Sequence, residues 1–137
     1  MFNRFTDLQG RIRGLIERTE TLLLDPTARD IGALGSVRWE LARTLREYQL
    51  FKQSCIFDPM EQRRDPKAPC ARAMKADCIR FGEDFLAYML RWSAVSPLQQ
   101  WDEFVAASLE MGARIRNQLA VELAGITALF GQGDKAA

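Results

Sequence analysis

Apolar residues recur three and four positions apart along almost the whole chain, and no stretch keeps the strict alternation of a half-buried strand. Side chains at these spacings share one face of an α-helix, so the pattern predicts an all-α fold. Phe5, Leu8, Ile12, Leu15, Thr19 and Leu22 mark a first helix over 3–24, which Asp25-Pro26 should stop because the residue before proline avoids helical geometry. Leu34, Arg38, Leu41, Leu45, Tyr48, Lys52 and Cys55 mark a second over 31–57, with Gly32 and Gly35 weakening its start and Asp58-Pro59 ending it. The polar stretch from Asp58 to Pro69 holds three prolines and reads as an exposed, flexible connection.

A third helix over 69–94 carries Cys78, Phe81, Phe85, Tyr88 and Trp92 on one face. Ser96-Pro97 then reads as a serine cap with proline in the first helical position of a fourth helix, 97–130. Its face runs Trp101, Val105, Ser108, Gly112, Ile115, Leu119, Glu122 and Ile126, and the glycines of "FGQG" should end it, leaving "DKAA" as a frayed tail. Short connections favour antiparallel neighbours, so the expected architecture is one domain, 1–137, folded as an up-down antiparallel four-helix bundle.

Composition then removes whole classes of chemistry. Histidine is absent, and with it go the His-x-x-x-Glu metal pair, the Ser-His-Asp triad, the Cys-His pair and a phosphoacceptor histidine. The three cysteines, Cys55, Cys70 and Cys78, are too few for a four-sulfur metal site and are odd in number, unlike a disulfide framework. Cys55 and Cys78 lie on apolar stripes and are expected to be buried, whereas Cys70 is expected to be exposed. With 19 basic and 18 acidic residues the net charge is +1, so no nucleic-acid or membrane partner is indicated. No apolar run approaches the roughly 20 residues that span a bilayer, and the first residues lack a basic-then-apolar signal pattern, so the expected location is the cytoplasm.

What remains is a set of polar residues facing inward, above all Lys52 between Tyr48 and Cys55. Two readings of Lys52 stand. Its stem lies along the core while its head snorkels to water, or its ammonium anchors a buried polar cluster. With Glu122 alone in sight as a partner acid, the sequence favours the first.

The segments "VRWELARTLREYQLFKQSCIFDP", "FLAYMLRW" and "WDEFVAASLEMGARIRNQLAVELAGITALF", in this order, resemble the bacterial hemerythrin-like (HHE) domain over nearly the whole chain. The likeness rests on hydrophobic pattern, helix order and the Phe-Asp-Pro exit after helix two. In that family histidines and carboxylates from four helices hold a non-haem di-iron centre. The resemblance places the helix-one ligand near Ile12, the helix-two pair on Tyr48 and Lys52, the third-helix ligand near Cys78 and the last pair near Arg114 and Gln118, with no ligand type retained.

It therefore implies a bundle without metal or other cofactor. Lys52 would supply part of the charge of the lost iron, and Tyr48, Gln118 and Glu122 would join it in a polar centre. The expected function is a non-enzymatic binding or regulatory module with a protein partner or a homodimer, Trp39 and Leu50 lying off the core stripe where a partner would meet them. The alternative is a small-anion pocket in the bundle interior lined by Tyr48, Lys52, Cys78 and Arg114.

Overall fold

The inward stripes become helices almost where the spacing puts them. The computed structural model describes residues 1–25, 27 and 29–136, the last six of these as backbone alone. Within it α1 spans Phe2–Leu23, α2 Ile31–Lys52, α3 Asp58–Gln62, α4 Ala68–Ala94 and α5 Trp101–Ala136. The protein is all-α, a bundle of four long helices with no strand among the described residues. The predicted stop at Asp25-Pro26 lies partly outside the described residues, since Pro26 is not among them; α1 itself closes where the Leu24 N–H donates to the Glu20 carbonyl at 3.0 Å. Asp30 caps α2 by accepting from the Ala33 N–H at 2.9 Å, which offsets the two early glycines.

Cross-helix contacts set the neighbours. Arg4 meets Glu47 and Arg18 meets Glu40, so α1 and α2 are read in opposite chain order. Lys52 meets Cys78 while Arg38 lies over Tyr88, and Tyr88 meets Ser108 while Cys78 meets Glu122. The same opposite order thus holds for α2 with α4 and for α4 with α5. Phe5, Leu8, Ile12, Leu41, Leu45, Ile115, Leu119 and Ile126 form the main core, each side chain worth roughly 1.5–3 kcal/mol on burial. A second apolar group, Leu23, Leu34, Trp92 and Phe104, closes one end, with the rings of Trp92 and Phe104 edge to face at 5.2 Å.

Four expectations are corrected. The Asp58-Pro59 pair does not end the second helical stretch. A π-helical turn, Gln53–Phe57, follows Lys52, its Asp58 N–H donating five residues back to the Gln53 carbonyl. The wide turn opens the ladder ahead of Pro59, whose ring would otherwise meet the Cys55 carbonyl, and α3 continues to Gln62. The added residue also rotates the inward stripe. Ile56, Phe57 and Met60 are buried, while Cys55, expected inside, is exposed.

At the other corner, Ser96 makes no side-chain cap, and Pro97–Gln100 is a tight 3₁₀ turn held by the Gln99 N–H on the Ser96 carbonyl at 3.1 Å. Finally, "FGQG" does not terminate α5, which runs to Ala136; glycine weakens a helix by about 1 kcal/mol against alanine but does not forbid it. Ala137, the end of the expected frayed tail, lies outside the described residues.

The connection that remains, 63–67, turns on one backbone angle. Arg64 has φ 54°, the left-handed region, with its N–H on the Glu61 carbonyl and the Asp65 N–H on the Met60 carbonyl. This is a Schellman C-cap in which arginine holds the place glycine favours. A left-handed residue with a Cβ costs about 1–2 kcal/mol, part of which glycine gives back in unfolded-chain entropy. Arg64→Gly should therefore raise stability by roughly 0.5–1 kcal/mol in urea melts. Unchanged or lower stability would mean that Arg64 makes a compensating contact.

Candidate functional site

Side chains from all four long helices meet at one level of the main core. Lys52, at the last residue of α2, is 2% exposed, and Glu122 on α5 is equally buried. The Lys52 Nζ lies 2.7 Å from Glu122 Oε2, 3.1 Å from Cys78 Sγ and 4.1 Å from the centre of the Tyr48 ring. Its three N–H directions thus meet a carboxylate, a thiol and an aromatic face. Lys52 does not snorkel.

Glu122 is as fully engaged. Its Oε1 accepts from the Tyr48 hydroxyl at 2.5 Å, and its Oε2 accepts from Cys78 Sγ at 2.8 Å and Gln118 Nε2 at 3.0 Å besides Lys52. Gln9 on α1 completes the group, donating to Tyr48 Oη at 3.0 Å and to the Leu119 carbonyl at 2.9 Å. Helical spacing explains the convergence: Tyr48 and Lys52 stand one turn apart on α2, and Gln118 and Glu122 one turn apart on α5.

Of the residues singled out from sequence, Tyr48, Lys52, Cys78, Gln118 and Glu122 come together and Arg114 does not. Arg114 is 45% exposed and pairs with Asp84 at 2.7 Å on the bundle surface, one turn outside the level of Gln118. Ile12 is a core side chain, and the polar contribution of α1 comes from Gln9, which the sequence reading passed over. Its signal was present: Gln9 stands four residues after Phe5 and three before Ile12, on the same face.

Arg38, the other cation on the α2 stripe, is half-buried. Its guanidinium lies 5.4 Å from the rings of both Tyr88 and Phe104, with Nη2 3.7 Å from the Met89 sulfur.

The electrostatics follow from burial set against bonding. Burial opposes the Glu122 carboxylate, but the Lys52 charge and the bonds from Cys78, Lys52 and Tyr48 outweigh it and hold its pKa below the ordinary 4.5. Burial pushes the Cys78 thiol up to about 12, with Lys52 acting against the rise and Glu122 with it. Tyr48 is raised far above 10 by burial and by the Glu122 carboxylate it donates to. The cluster is thus ammonium, carboxylate, neutral thiol and neutral phenol.

These residues do not fit the di-iron centre that the resemblance implies. The donors near the centre are one carboxylate, one thiol and one phenol, an ammonium stands among them, and the adjoining void measures about 10 Å³. Among the described residues no three His, Cys, Asp or Glu side chains are grouped to hold a metal. Nor is any helix of the described residues long and apolar enough to cross a membrane. Comparison with protein-family models, with curated proteins and with solved structures finds no match.

Two outcomes test the cluster. Lys52→Met should cost roughly 3–5 kcal/mol at neutral pH, because it strands a buried carboxylate. The wild-type contribution of Glu122 is full above its ordinary 4.5 and is lost as pH falls through the lower folded value. Without Lys52 burial dominates, the folded pKa rises, and protonation relieves the strain, so the mutant's deficit should shrink toward acid. Denaturant melts at neutral and acid pH decide it; a deficit under about 1 kcal/mol would mean the pair is dispensable. For the thiols, native protein should react with a thiol reagent at Cys55 and Cys70, and at Cys78 only on unfolding. Fast native labelling of Cys78 would show that the centre opens.

Proposed function

We propose that this chain is a non-enzymatic binding or regulatory module of the cytoplasm, built on a metal-free hemerythrin-like bundle. The observation that carries the reading is the closure of the bundle centre. A tethered cation, Lys52, stands where the resemblance sets a metal ligand, and its charge is matched by Glu122 at 2.7 Å. The void beside it, about 10 Å³, is the room of a single water and takes no substrate. A chain sealed in this way meets other molecules at its surface.

The outer face of α2 and α4 supports that view. Between these helices runs a groove of about 330 Å³ whose lining includes Trp39, Phe81, Leu86 and Leu90. Trp39, Leu86 and Leu90 are 64%, 56% and 61% exposed, a cost that a monomer would avoid unless a protein partner or a second copy covered them. The interior anion pocket has less in its favour, because Lys52 and Arg114, the cations named for it, each already hold a carboxylate.

Thermal-shift titrations with acetate, citrate and phosphate at constant ionic strength should leave the melting temperature unchanged, and elemental analysis after chelator-free purification should find no stoichiometric metal. A saturable rise with any of these anions would move the function to the interior. One or two irons, zincs or manganeses per chain would restore a metal centre.

A further inference from the structure

The thiol of Cys78 and the ammonium of Lys52 face each other at 3.1 Å in the buried centre. One carboxylate oxygen, Glu122 Oε2, lies 2.7 Å from the nitrogen and 2.8 Å from the sulfur. From this triad we propose that Lys52 and Cys78 are a modification site, at which hydrogen peroxide joins them through a covalent nitrogen–oxygen–sulfur bridge. The inference rests on the geometry of these three side chains and goes beyond the binding-module reading, which it neither needs nor supports.

The Cys78 thiol, the Lys52 ammonium, the Glu122 carboxylate and two molecules of peroxide give the bridge, a protonated Glu122 and three waters. The S–H bond and two N–H bonds break, one S–O and one N–O bond form, and both peroxide O–O bonds are cleaved. Sulfur and nitrogen each lose two electrons, and the four electrons reduce the two peroxides. Glu122 takes the proton that the ammonium gives up, and so does not remain as an uncompensated buried charge once its cation is gone.

Geometry selects this product over its rivals. Insertion of one oxygen leaves nitrogen and sulfur close to where they stand, whereas a direct sulfur–nitrogen bond would need them to approach by more than an ångström. Burial holds both groups in place, which raises the effective concentration of amine at an oxidised sulfur far above any solution value. The adjoining void, lined in part by Tyr48, Lys52, Gln118 and Glu122 but not by Cys78, has the room of one water, so peroxide reaches the sulfur only as the packing around it opens locally. The thiol is neutral and shielded, so the step is slow, and the same shielding keeps bulky reductants from the product.

The test uses the full chain carrying Cys55→Ser and Cys70→Ser, which removes the two exposed thiols. Treatment of the folded protein with millimolar hydrogen peroxide should add about 14 Da, one oxygen gained and two hydrogens lost, against about 16 Da for a sulfenic and about 32 Da for a sulfinic acid. Proteolysis should yield a peptide containing Lys52 linked to one containing Cys78, released by dithiothreitol after unfolding.

The bridge should not form in urea-unfolded chain, where proximity is lost, nor in Cys78→Ser or Lys52→Arg, which keep a polar group or the charge in place. The proposal is overturned if folded protein shows only sulfenic or sulfinic acid at Cys78, or remains unmodified after hours in peroxide. It is equally overturned if the 14 Da species persists in Cys78→Ser or forms as fast in urea.

Discussion

An ammonium and a carboxylate 2.7 Å apart, both shut away from water, impose a condition on everything packed around them. At an effective dielectric near 20 their attraction is about 6 kcal/mol, and removing each ion from water costs several kcal/mol, so the pair by itself comes out near even. The balance is decided by the remaining valences. Lys52 has two further N–H directions and Glu122 has lone pairs beyond the one that Lys52 uses. Cys78, the Tyr48 ring, the Tyr48 hydroxyl and Gln118 occupy them. Gln9 in turn supplies the Tyr48 hydroxyl with a donor, so that the phenol both accepts and donates. The network extends to each of the four long helices and ends on a backbone carbonyl, Leu119, rather than on an unsatisfied group.

The same condition shapes the backbone beyond Lys52. Were the α-helix to continue regularly, Cys55 would follow Lys52 into the core. The π-helical turn instead turns Cys55 out and brings Ile56 and Phe57 in, two larger apolar side chains that join the main core. Met60 joins the same core from α3, whose first turn holds Pro59 directly after that turn. On the far side Leu45, Ile115 and Leu119 line the small void beside Tyr48 and Gln118. A polar centre of this density persists only inside such an apolar sleeve, since water entering it would weaken every bond through the higher dielectric.

Much of this was legible in the sequence. Hydrophobic spacing marked four long helices, their inward faces and the inward positions of Tyr48, Lys52, Cys78 and Glu122, and the resemblance added Gln118. Periodicity reports which face a residue takes, not how deep it lies, and that is why the Lys52 head was expected at the surface; Arg114 was placed in the centre by the resemblance, not by periodicity. Lys52 sits opposite an acid seventy residues away, and no local pattern encodes that distance. Gln9 was passed over because a lone amide beside leucine and isoleucine looks like a helix-surface residue until its acceptors across the bundle are known. The π turn was invisible for another reason. Its signals, an apolar Ile-Phe pair and a proline two residues later, read equally well as a helix end, and only the burial of Phe57 and Met60 selects continuation.

A side-chain cation at the centre differs physically from a bound one. It is tethered, so its presence does not depend on supply or on affinity, and folding and filling of the site become a single event rather than two linked equilibria. It carries one charge rather than several, so one carboxylate suffices, and the helices beside it are free to contribute neutral groups. That accounts for a thiol, a phenol and an amide touching Lys52 and Glu122, with a second amide behind the phenol, where a multivalent ion would demand anions. Its donors also have direction, and each must meet an acceptor at a fixed angle, which ties α2 to α4 and α5 at a single register. Slipping the α2–α5 contact by one helical turn, about 5.4 Å, would leave a buried charge without its partner, a penalty of several kcal/mol that apolar stripes alone would not impose.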